Sequence, residues 1–98
     1  MYLIREVMHC KPGQVRPMVD KFKELGKVLK KMGFTQLRIL TDVSGERYWT
    51  VIVEQEVESL EAYADMSRKT MSDAKLQKVM KNYHELVESG HREIYRVE

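Results

Sequence analysis

A single cysteine, Cys10, among 98 residues rules out an internal disulfide, a CxxC redox pair and a cysteine-based zinc site. Two prolines and five glycines are too few for a fibrous repeat or a low-complexity linker. No stretch approaches the roughly 18 apolar residues of a membrane span. Arg5 and Glu6 also interrupt the apolar run near the start, where a secretory signal would lie. The expectation is a cytoplasmic protein with no membrane contact. Nor is charge of one sign in excess: 17 basic and 15 acidic residues leave a net charge of +2, too small to point to nucleic acid.

What remains is ordinary globular material, 33% charged and 43% apolar, enough for one domain over residues 1–98. A chain of this size buries only about 60–65% of its unfolded surface. Its core is thin, and contact with another copy would add apolar burial. Charge is unevenly spread, because Lys11 to Lys31 holds seven basic and two acidic residues while Asp42 to Asp65 holds seven acidic and one basic.

Tyr2 to Cys10 is rich in strand formers and stops at Lys11-Pro12-Gly13, which predicts a first strand and a turn. Val15, Met18, Phe22, Leu25, Leu29 and Met32 then recur at helical spacing, with Pro17 in the first turn and Gly33 at the close. Thr35–Val43 and Tyr48–Val57 alternate as the two arms of a hairpin around Ser44-Gly45. Ser59 caps a second helix, broken near Met71-Ser72-Asp73. Leu76, Val79, Met80, Tyr83 and Val87 predict a further helix ending at Ser89-Gly90, and His91 to Val97 a last strand. The order is β-α-β-β-α-(α)-β, an α+β ferredoxin-like fold with an antiparallel sheet and helices on one face. Both faces of the strands are half apolar, so a second copy packed sheet to sheet is the simplest cover for the helix-free face.

Strand one running into Lys11-Pro12-Gly13 before an amphipathic helix, the hairpin through Trp49, and the closing strand His91-Arg92-Glu93-Ile94-Tyr95 together resemble the dimeric α+β barrel superfamily. That superfamily includes antibiotic-biosynthesis-type monooxygenases and NIPSNAP-like proteins. The resemblance implies a homodimer sharing a barrel of two sheets. It also implies a pocket between sheet and helices for a small hydrophobic or aromatic molecule, and a cofactor-independent monooxygenase-like activity as its enzymatic form. Haem-degrading relatives use a strand-one asparagine, a tryptophan and an axial histidine. Trp49 and His84 match the last two in type, but the sole asparagine is Asn82, so no cofactor is implied.

His9 and Arg5 are the candidate catalytic pair. They share a strand face with Val7, where a histidine acts as base and a guanidinium polarises a carboxylate or phenolate. Trp49, Tyr48, Tyr63, Met66 and His84 are the candidate ligand-binding residues, although each equally suits core packing. His84 and Glu88, four apart on the expected helix, fall short of a metal site, and no metal is expected. RNA-recognition domains share the element order but stack bases on aromatics two apart on strand three. Here Tyr48 is followed by Thr50, and Trp49 by Val51. The competing function is a non-catalytic homodimeric assembly module, since no complete nucleophile, metal or phosphate-loop motif is present.

Overall fold

The computed structural model describes residues 1–98. Four strands, β1 (Tyr2–Cys10), β2 (Arg38–Thr41), β3 (Thr50–Val57) and β4 (Val87–Arg96), form one antiparallel sheet in the order β2-β3-β1-β4. Helices α1 (Val15–Lys31), α2 (Leu60–Met71) and α3 (Ala74–Val79) complete the β-α-β-β-α-α-β order of a ferredoxin-like α+β fold. None of them is long and apolar enough to cross a membrane.

Local chemistry sets the helix ends. Gly33, at φ +85°, donates to Lys30 O, and Phe34 donates to Leu29 O, a reciprocal pair that satisfies the last carbonyls of α1. Ser59 Oγ accepts from Ala62 N at 3.0 Å to start α2, and Asp73 accepts from Lys75 N and Leu76 N to start α3. Lys21 Nζ, from α1, donates to the carbonyls of Val79 and Lys81 and so places a cation on the end of α3.

Two boundaries differ from the pattern. The helix expected to run from Leu76 through Val87 ends at Val79. Asn82 turns left-handed at φ +64°, a single 3₁₀ turn spans Tyr83–Glu85, and Ser89-Gly90 lies inside β4 rather than closing a helix. Gly90 is tolerated there because a Cβ would meet Val7 O at 3.0 Å. At the other boundary β3 starts at Thr50, since Trp49 adopts φ +61°; Tyr48 and Trp49 therefore lie in the hairpin loop and not on opposite faces of a strand. The first arm of that hairpin is correspondingly short, Arg38–Thr41.

Cys10, Val51 and Val53 of the sheet cluster with Met18, Val19 and Phe22 of α1, and Ile4, Leu29, Val57, Met66 and Leu76 are buried as well. Helix α1 packs on β2 and β3, and α2 on β3, so the helices leave β4 at the margin with Ile94 and Tyr95 exposed. The result is a slab about as thick as two layers, 35 × 34 × 18 Å between Cα extremes. Its 6850 Å² of accessible surface exceeds by about 1,000 Å² the roughly 5,800 Å² expected of a folded monomer of 11.6 kDa.

Candidate functional site

Alternation along β1 puts Arg5, Val7 and His9 on one face, as the sequence predicts, and the fold makes it the face without helices. Register then brings an alternating row of charges across all four strands: Arg38 beside Glu54, Glu54 beside Arg5, Arg5 beside Glu93. Glu54, only 7% exposed, accepts from Arg38 Nε at 3.1 Å, and its other oxygen lies 2.8 Å from Arg5 Nε as an ion pair off the hydrogen-bond axis. Arg5 Nη1 donates to Glu93 Oε1 at 3.2 Å. Hydrogen bonding to His91, at 2.8 Å, and then to Tyr95 holds the Glu93 carboxyl below the usual range.

Two rows away on the same face, His9 Nδ1 lies 3.3 Å from Thr50 Oγ1, and that hydroxyl donates its own proton to Arg47 O at 2.9 Å. Thr50 therefore accepts from Nδ1–H, which leaves Nε2 as the acceptor nitrogen of neutral His9. Burial lowers the His9 pKa, the charges of Arg47 and His91 lower it further, and Glu46 opposes them. The ring stands in an open concavity of about 430 Å³, with Val7, Ile52 and Leu40 among its walls and the loop Asp42–Arg47 along one side. Arg47 reaches from that loop toward β4, donating to Ser89 Oγ at 3.4 Å.

On the helix-covered side, where the helices stop short of β4, a groove of about 390 Å³ is lined by Glu6, Met8, Tyr83, His84, Val87 and Arg92, with Gly90 keeping its floor low. Arg92 Nε donates to Glu6 Oε1, and the phenol of Tyr63 donates to the same oxygen at 3.4 Å. The Arg92 guanidinium also lies 5.4 Å from the centre of the Tyr63 ring. Burial pushes the Tyr63 phenol up, against the pull of Arg92. Burial disfavours the Arg92 charge, yet Glu6 outweighs it and the pKa rises.

No known protein-family model matches the chain, and no curated protein is significantly similar to it in sequence. Solved structures are similar in fold. An uncharacterised NIPSNAP domain protein from Burkholderia xenovorans superposes with a TM-score of 0.84 at 14% identity, over 100% of this chain and 95% of that one. A NIPSNAP family protein of unknown function from Agrobacterium tumefaciens gives 0.84 at 15%, over 99% and 87%. A protein described as an antibiotic biosynthesis monooxygenase gives 0.74 at 9%, over 99% and 98%. The chain shares the ferredoxin-like α+β fold of these proteins.

Within that fold the candidate residues fall into separate places. Arg5 and His9 come together on the helix-free face. Tyr63 and His84 stand on the other side of the sheet, around Glu6 and Arg92, while Met66 is buried in the core at 7% exposure. Tyr48 and Trp49 border a third hollow with Val15, Thr41 and Asp42, and Trp49 is 43% exposed. His84 sits in the 3₁₀ turn and not on a helix face, so the four-residue spacing to Glu88 has no helical meaning. No three His, Cys, Asp or Glu side chains converge as metal ligands would. The partners that organise both faces, Glu54, Glu93, Glu6 and Arg92, were not singled out by the sequence. The signal for Glu6 was its interruption of an apolar strand; the rest depended on register.

Proposed function

We propose that this protein is a homodimer, joined through the helix-free sheet faces, that binds a small hydrophobic or aromatic molecule in the groove between β1, β4 and the Tyr83–Glu85 turn. The observation that carries this reading is the bare sheet face. Its apolar members Leu3, Val7, Leu40 and Ile52 share a surface with paired charges. The groove supplies the second half. About 390 Å³ suits a one- or two-ring molecule, Met8, Tyr83 and Val87 offer apolar walls, and Arg92, Glu6 and His84 offer donors and an acceptor.

Light scattering across a dilution series is the test of assembly: a constant mass near twice 11.6 kDa supports the dimer, and a monomer at every concentration overturns it. For the ligand, calorimetric titration with 1-naphthol should show saturable binding that weakens about tenfold in Tyr83→Ala; equal affinity in that variant removes the groove from the proposal. Oxygenation of the bound ring, the activity that names the monooxygenase neighbour, is the enzymatic form of this reading: 1-naphthol itself supplies the electrons, one oxygen atom enters the ring to give the naphthoquinone and the other leaves as water, and dioxygen uptake dependent on 1-naphthol tests it. The separation of His9 and Arg5 from Tyr63 and His84 by the whole sheet favours a second reading, a non-catalytic assembly module. A dimer that binds no aromatic probe supports that alternative.

A further inference from the structure

The helix side of the sheet carries another groove, along β2 at the opposite edge from β4. We infer that this channel between α1 and β2 is a binding site for a small anionic amphiphile, a hydrocarbon body ending in a carboxylate, separate from the groove beside β1 and β4.

The floor of the channel is apolar. Leu37, just before β2, and Ile39 within it pack against the core in part and stay half-buried. With Phe22 of α1 they line a hollow of about 340 Å³, inside the roughly 300–1,000 Å³ range of small-molecule sites. The rim is basic. Lys23, Lys27 and Lys30 line the same hollow, and no carboxylate does. Spacings of four and three set these lysines on one stripe of α1. Lys27 Nζ donates to Glu24 at 3.1 Å, whereas Lys23 and Lys30 enter no ion pair. Lysine stems extend an apolar wall while their ammonium heads stay in water. Gln36, beside Leu37, adds an amide donor for a carboxylate oxygen.

Two local rules of helix stability are broken at this one place. Like charges one turn apart repel, and here three share a stripe. The helix dipole favours Lys30 and Lys31 in the last turn, but its effect does not reach Lys23. The second exception is Gly26, inside α1, where glycine is the poorest helix former after proline. Its φ is not left-handed and a Cβ would meet no atom within 4 Å, so neither a turn nor a close approach calls for glycine. The missing side chain leaves room, because Gly26 lines the hollow. Choices that weaken an element without a packing gain mark functional places. An apolar floor, a cationic rim and a glycine that keeps the space open are the complement of a hydrocarbon carboxylate. Since the channel lies on the helix side, pairing through the helix-free face leaves it open, and this inference does not rest on the dimer.

Calorimetric titration with decanoate tests the site. Saturable binding is expected, about tenfold weaker for decanol, which keeps the chain and loses the charge, and about tenfold weaker in the double variant Lys23→Gln/Lys30→Gln. Gly26→Leu should abolish decanoate binding and leave 1-naphthol binding unchanged. Gly26→Ala should raise the melting temperature by about 4–8 °C, which shows that the glycine does not serve the fold. Decanoate that fails to saturate, binds no better than decanol, or binds Gly26→Leu with wild-type affinity overturns the inference. So does co-sedimentation with phosphatidylglycerol vesicles by a protein that ignores decanoate, since the lysine stripe then faces a membrane. If Gly26→Leu does not fold, backbone amide shifts on adding decanoate to the wild type decide: movement at Gly26, Leu37 and Ile39 supports the channel, and movement at Val87 and Gly90 instead overturns it.

Discussion

The two faces of the sheet are built from the same four strands by opposite means. On the covered face, Val51 and Val53 cluster with helix side chains, and Ile4 and Val57 are buried as well within one chain. On the bare face, Arg5, Val7, His9, Ile52 and Glu54 find their partners sideways, along the sheet, and little above them. Burial from above needs only the right residue type, because the hydrophobic effect is non-directional. Pairing from the side needs the right register, because a one-residue slip sends each charge to the other face. The covered face is therefore tolerant in detail and the bare face is not.

The largest effect should come from breaking the covered face. Met18 is fully buried, and Met18→Ala should cost about 2–5 kcal/mol of unfolding free energy in a urea titration. Breaking the bare face should cost less. Glu54→Gln leaves two guanidiniums without their shared carboxylate; loss of one member of a buried pair costs about 3–5 kcal/mol, but the Arg38 side chain is 73% exposed, so about 1–2 kcal/mol is expected. If Glu54→Gln costs as much as Met18→Ala, the bare face is as much a core as the covered one. A double-mutant cycle with Arg5→Met would locate the coupling.

The smallest effect concerns pH. An unfolded histidine titrates near 6.5, and the folded His9 pKa is lower, mainly through burial. Between the two values the unfolded chain binds more protons, so stability is highest above pH 6.5, declines as pH falls below it, and levels once pH passes the folded value. His9→Gln should flatten that decline in melting temperatures measured from pH 5 to 8. A decline that persists unchanged assigns it to another group.

Much of the fold was legible because it is local. The stripe from Val15 to Leu29, the Gly33 stop and the Ser59 cap each depend on residues within a few positions, and each formed where the pattern placed it. The misreading from Tyr83 to Gly90 has a physical source. Met80, Tyr83 and Val87 mimic a helical period, but Asn82 takes the left-handed region and the chain leaves the helix before the stripe ends. Gly90 is a helix stop in isolation; beside the Val7 carbonyl it is a strand residue. Face sharing of Arg5 with His9 was legible from alternation. Their partners were not, because Arg5 and Glu93 are 88 positions apart and only the folded register joins them.

Trp49, held at a positive φ where the loop enters β3, is the chain's single tryptophan. Its indole therefore acts as an optical label fixed by nature to one loop, 43% exposed, and not to the core. Emission from this protein reports the hairpin loop beside the concavity, while circular dichroism reports the sheet and helices. Urea curves that coincide by both probes mark a loop that melts with the domain, and an earlier fluorescence change marks one that opens on its own.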